Sequence, residues 1–142
     1  MAASRVYLAI DVNNNNLIAA KEFALGHGSP KSTEDIVLAL QKEITVMKEL
    51  EHENVVRYYG ADRRGQEAFY ILMEYVPGGS LRSVLEQFGA MQAPLAADIT
   101  LQILQGLEYI HSKSIVHRDI KAANVLLSSD GVAKIGDFGA LK

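Results

Sequence analysis

The run Pro77-Gly78-Gly79 constrains the fold of this chain more than any other stretch. Proline lacks a donor and fixes its own backbone, and two glycines contribute no side chain, so an ordered element must stop there. The segment that stops is Ala68 to Val76, apolar throughout except Glu74, which reads as a buried strand. Upstream, Val6–Ile10 and Leu17–Phe23 read as strands joined by a turn of four asparagines, Asn13 to Asn16, a residue that tolerates left-handed backbone. A long helix follows, capped at Ser32 or Thr33 and running to about Leu50, with Ile36, Leu40, Ile44, Met47 and Leu50 as its buried stripe. VVRYYGA is β-rich, and polar Asp62 to Gln66 reads as the turn before the buried strand.

Downstream of the break the pattern changes. Ser80 caps a short helix ending near Gly89, and Pro94 opens another with Ile99, Ile103, Leu107 and Ile110 as its stripe. Ile115-Val116 and Val125–Leu127 read as short strands, the latter joined by the turn Ser128–Gly131 to Val132–Ile135. The order is sheet first and helix second, which divides the chain into two lobes, 1–76 and 77–142. A content of 49% hydrophobic and 22% charged residues suits a packed core. A net charge of −3 gives no general attraction to nucleic acid, and the absence of cysteine excludes disulfides and thiolate metal sites. The first apolar run is broken by Asp11, too early for a membrane span, so a soluble, cytoplasmic protein is expected.

The chemistry concentrates in HRDIKAAN, residues 117–124. Asp119 is suited to accept a hydroxyl proton, Lys121 to neutralise a transferring phosphoryl group, and Asn124 to ligate Mg²⁺. Asp137, in Asp-Phe-Gly across the predicted hairpin, offers a second hard oxygen. His27, His52 and His111 show no ligand spacing and read as structural or surface residues. His117 is expected to support its loop and pack near Phe138 rather than to take a proton.

These motifs resemble those of protein kinases. His117-Arg118-Asp119 with Asn124 is similar to the catalytic loop H-R-D-L-x-x-x-N, and Asp137-Phe138-Gly139 to D-F-G. The resemblance implies an α+β, two-lobed, protein-kinase-like fold, with residues 1–76 as the N-lobe from its second strand to the hinge and 77–142 as the start of the C-lobe. It implies ATP and Mg²⁺ as cofactors and a protein substrate. Ile18-Ala19-Ala20-Lys21 stands where the family has V-A-I-K, so Lys21 would hold the α- and β-phosphates, with Glu43 as its partner. Met73 would be the gatekeeper, and the backbone of Glu74 and Val76 would read adenine. Val6, Ala19 and Leu126 would enclose the ring, with Ser80 in the same nucleotide-binding set. Arg118 would pair with a phosphorylated activation loop.

Lys121, two residues beyond Asp119, is similar to the serine/threonine pattern. EITVMKELEHENVVRYYGA, AFYILMEYVPGGSL and GDFGALK resemble the mitogen-activated protein kinase kinase kinases, which implies a MAP kinase cascade and a downstream MAP kinase kinase as substrate. The glycine loop that the family places before the lysine is not in this sequence, since Gly26-His27-Gly28 follows Lys21; the activation segment and later helices are not in it either. A fold cut at both ends is therefore expected, with the stripe Ile99, Ile103, Leu107 and Ile110 partly uncovered. Each such side chain forfeits roughly 1.5–3 kcal/mol against a domain stability of about 5–15 kcal/mol, so a marginal, aggregation-prone chain is expected. The alternative function is a catalytically incompetent fragment that binds nucleotide or a protein partner.

Overall fold

A computed structural model describes residues 5–25, 30–65 and 67–138, with the side chains of 30–32 left out. Gly26-His27-Gly28, Gln66, Gly139 and the side chain of Ser32 fall outside these. The chain divides into two compact units: residues 1–50 with 57–75, and residues 51–56 with 76–142. None of the described helices is long and apolar enough to cross a membrane.

In the first unit, β1 (Arg5–Ile10), β2 (Leu17–Ala24), β3 (Tyr58–Arg64) and β4 (Ala68–Glu74) form one antiparallel sheet in the order β1-β2-β4-β3. The β1–β2 turn is organised by Asp11, whose carboxylate accepts from the Asn13 backbone at 3.0 Å and from Asn14 Nδ2 at 2.9 Å, while Asn15 adopts φ 59°. Asparagine bears that left-handed backbone at little cost. The central strands are buried along Ile18, Ala19, Ala20, Phe69 and Ile71. The run Asp62–Arg64, expected as a turn, continues β3, and the chain turns at Gly65. Their side chains are polar because β3 is an edge strand; its hydrogen bonds to β4 come from the backbone.

Helix α1 (Pro30–Met47) begins at proline, earlier than the expected cap at Ser32 or Thr33, and Thr33 lies inside it. Its buried face is Thr33, Val37, Leu40, Ile44 and Met47, spaced 4, 3, 4 and 3, and Leu50 is buried just beyond the helix. Ile36, expected in that stripe, is 53% exposed while its neighbour Val37 is 2% exposed. Three consecutive apolar residues, Ile36 to Leu38, leave the phase of the stripe open in sequence, and packing selects the middle one. A directional contact accompanies this apolar face: Arg63 on β3 forks onto both carboxylate oxygens of Glu34 at 3.1 and 2.8 Å.

The second unit holds α2 (Leu81–Phe88), α3 (Ala93–Ser112), a 3₁₀ turn at Ala122–Asn124, and the hairpin β5 (Val125–Leu127) with β6 (Ala133–Ile135). Ser80 caps α2, its hydroxyl accepting from the Ser83 backbone at 3.1 Å, and Gly89 ends it. Helix α3 ends in a Schellman turn: Ser114 N–H donates to His111 at 2.9 Å, Ile115 N–H donates to Ile110 at 3.0 Å, and Ser114 has φ 60°. Ile115-Val116, expected as a strand, is the exit from this turn and forms no strand.

Residues 51–56 complete the unit. Ile135 N–H donates to the Asn54 carbonyl and Val56 N–H to the Ile135 carbonyl, both at 2.8 Å, which adds these residues to β6. The α3 stripe, expected to be partly uncovered, is covered at two of its four positions: Ile99 and Ile110 are buried, while Ile103 and Leu107 are half-buried. The exposed apolar residues of α3 are instead Leu95, Leu101 and Leu104. Gly78 has a packing role too. A Cβ there would stand 2.2 Å from the Leu127 carbonyl oxygen, and Leu127 N–H donates to Gly79 at 2.9 Å. The glycines that end the preceding strand are thus a close-packed neighbour of β5.

Candidate active site

The loop between α3 and β5 is organised by buried His117. Asp119 N–H donates to His117 Nδ1 at 3.2 Å, so Nδ1 carries no proton; Nε2 therefore carries it and donates to the Gly136 carbonyl at 2.8 Å. The imidazole ring lies 4.8 Å from the Phe138 ring, the contact expected from the sequence. One side chain thus fixes two segments at once. Between its bonds Arg118 has φ 67°, and across from it Asp137 has φ 54°. Left-handed backbone at such residues carries roughly 1–3 kcal/mol of strain and persists where neighbours over-determine it, as His117, Gly136 and Phe138 do here.

Asp119 gathers the polar groups of the loop. Its Oδ2 faces Lys121 Nζ at 3.1 Å and accepts from Asn124 Nδ2 at 2.8 Å; the same Nδ2 donates to the Asp119 carbonyl at 2.9 Å. Both partners are pure acceptors, so the amide has one possible orientation, with Oδ1 at its opposite end. The β5–β6 register then sets the spacing to Asp137: Val125 pairs with Ile135, and Gly136 N–H donates to the Asn124 carbonyl at 2.9 Å. An oriented carboxamide oxygen and a carboxylate are the hard donors Mg²⁺ takes, and so few protein ligands leave room for phosphate oxygens and water. No group of three potential metal-binding His, Cys, Asp or Glu residues occurs among the described residues.

The first unit arranges a second set of residues. Val6 stands opposite Lys21 and Ala19 opposite Met73 in the strand register, which puts all four on one sheet face. Lys21 Nζ lies 5.4 Å over the Phe23 ring, and Glu43 is half-buried on α1. Glu74 N–H donates to the Arg57 carbonyl at 2.8 Å. In the second unit Val76 is buried, Leu126 bridges to Ser80, and the Ser80 hydroxyl is engaged in the α2 cap.

Residues 2–142 match the family model described as the protein kinase domain. The chain belongs to the protein kinase family. It is 45% identical over 142 residues to mitogen-activated protein kinase kinase kinase 3 of Homo sapiens, covering 99% of this chain and 22% of that protein. It is 41% identical over 143 residues to mitogen-activated protein kinase kinase kinase 3 of Arabidopsis thaliana, with the same coverage of 99% and 22%. The chain thus spans 22% of the length of each of these curated relatives. A crystal structure of Rad53 (1-466) in complex with AMP-PNP matches with a TM-score of 0.80 and 33% identity, over 96% of this chain and 35% of that one.

Some residues that hold this candidate site escape a reading of motifs. Gln102 on α3 accepts from Ala133 N–H at 2.8 Å and from Asn54 Nδ2 at 3.2 Å, and donates to Asp98 at 2.8 Å and to the Gly131 carbonyl at 3.2 Å. Asn54 Nδ2 also donates to the Ala133 carbonyl at 2.9 Å. Together they hold β6, whose next residues are Gly136 and Asp137. The available signal was slight: a glutamine three residues after Ile99, within an otherwise apolar stripe.

Proposed function

We propose that this chain is part of the catalytic domain of a protein serine/threonine kinase acting in a mitogen-activated protein kinase cascade, with a downstream MAP kinase kinase as protein substrate. The observation that carries the reading is the cluster of Asp119, Lys121 and Asn124, tied through the β5–β6 register to Asp137. The names of the relatives support the cascade.

In this reading a substrate hydroxyl meets the Asp119 carboxylate, which orients it and takes its proton. The hydroxyl oxygen forms a bond to the γ-phosphorus of ATP as the bond to the β,γ-bridging oxygen breaks, and ADP leaves. Lys121, beside Asp119, offsets charge on the transferring group. Lys21 holds the α- and β-phosphates with Glu43 as its partner, and Val6, Ala19, Met73 and Leu126 line the adenine site. Asn124 and Asp137 would hold Mg²⁺, which when bound neutralises charge on the phosphates. Lys121 and Asn124 both donate to the Asp119 carboxylate and orient it.

The test is phosphotransfer to a MAP kinase kinase by the intact protein, beside Asp119→Asn. Transfer in the wild type, lost in the variant while ATP binding is retained, supports the reading. Nucleotide binding with equal transfer in both proteins would remove Asp119 from the chemistry. Binding with no transfer in either would leave a nucleotide-binding module.

A further inference from the structure

The pairing of β3 with β4 is irregular where β4 ends. Tyr58 stands opposite Met73 and Gly60 opposite Leu72, so Tyr59 is the extra residue of a bulge. The next pair in register is Arg57 with Glu74. Glu74 N–H donates to the Arg57 carbonyl at 2.8 Å. In a regular hydrogen-bonded pair the return bond runs from one main chain to the other. Here Arg57 N–H donates to Oε2 of the Glu74 side chain, at 3.1 Å. The last rung of the sheet is therefore closed by a carboxylate. The Tyr59 phenol, still partly shielded from solvent, has its pKa raised by that desolvation first and by the Glu74 charge second.

Resting on the kinase reading above, we propose that the Glu74 side chain is a positioning group for adenine. By accepting the Arg57 N–H it fixes the end of β4, and with it the Glu74 backbone assigned to adenine. The role requires an acceptor oxygen at the end of two methylenes and does not require a charge. A leucine of similar size removes the acceptor; a glutamine keeps it.

The experiment measures ATP and adenosine dissociation constants, KM for ATP, and hydrogen exchange at the Arg57 amide, in the intact protein and in Glu74→Leu and Glu74→Gln. Glu74→Leu should weaken both ligands about tenfold, the equivalent of one ordinary hydrogen bond. It should raise KM far more than it alters kcat, and lose protection at the Arg57 amide. Glu74→Gln should recover most of the affinity and the protection. Wild-type affinity in Glu74→Leu, or a glutamine variant as weak as the leucine one, would overturn the role of Glu74. Should Glu74→Leu not fold, Glu74→Gln decides alone: retained protection and adenosine affinity support the role, and loss of both overturns it. A wild-type protein that binds neither ATP nor adenosine would instead sink the kinase reading.

Discussion

Replacing Gly106 by alanine sets two effects of opposite sign against each other. Gly106 lies inside α3, where alanine is favoured over glycine by about 1 kcal/mol. A Cβ at this position, however, would stand 2.7 Å from the Asn54 carbonyl oxygen and 2.9 Å from Ile135 Cδ1. The isoleucine methyl can swing aside. The carbonyl cannot, because it accepts from Ile135 N–H at 2.8 Å and its own side chain is held by Ala133 and Gln102. Overpacking of this kind costs about 1–3 kcal/mol, and straining the Asn54–Ile135 bond adds about 0.5–1.5 kcal/mol. The clash wins, for a net loss near 2 kcal/mol and a fall in Tm of roughly 5–10 °C. Thermal and urea unfolding of Gly106→Ala beside the wild type measure it, with hydrogen exchange at the Ile135 amide as a local report. A variant as stable as the wild type, or more stable, would show that residues 54–56 do not pack on α3 in this way.

Ser114→Gly should stabilise the chain by about 0.5–1 kcal/mol, because the left-handed penalty at Ser114, roughly 1–2 kcal/mol, exceeds the chain entropy that glycine adds; a Tm no higher than wild type contradicts it. Ser80→Ala removes the acceptor for Ser83 N–H and should cost about 1 kcal/mol in denaturant unfolding. His117→Phe keeps a ring beside Phe138 but leaves the Asp119 N–H and Gly136 carbonyl without their partner, a loss of about 2–5 kcal/mol that on the proposed kinase reading should also reduce phosphotransfer. Glu34 has its pKa lowered below 4.5, first by its hydrogen bond to Arg63 and then by the charge of Arg63. A depressed carboxylate pKa contributes stability above the unfolded value that is lost as pH falls through the folded value. Glu34→Gln should therefore flatten the acid limb of stability below about pH 4.5, and an unchanged limb would rule the pair out.

Much of the candidate site's arrangement was legible because its residues are close in sequence. His117, Asp119, Lys121 and Asn124 lie on one loop, and a single hairpin register carries Asn124 to Asp137. The face shared by Val6, Ala19, Lys21 and Met73 follows from strand alternation. What escaped was set by tertiary contact. The Asn54–Gln102 bond joins residues 48 apart, and neither residue type announces a partner. Ile36 and Val37 fit the helical period almost equally well, so only the sheet beneath α1 could choose between them. Asp62–Arg64 reads as a turn because side-chain polarity says nothing about backbone pairing on an edge strand. Gly78 lies in a run that any reading would call a break, yet its missing side chain makes room for the Leu127 carbonyl.

The second unit is not a continuous length of chain, and this has a consequence for how it is made. Residues 51–56 belong with 76–142, and the bond from Asn54 to Ala133 spans 79 residues. At a synthesis rate of about 5–20 residues per second, Asn54 leaves the ribosome roughly 4–16 s before Ala133 does. For that interval the Asn54 amide and Val55-Val56 await a binding surface, in reach of chaperones and of other nascent chains. Cutting the gene at Val76 to express the halves separately would leave these residues on the half without α3 and β6. Neither piece would then be the unit that the folded protein contains.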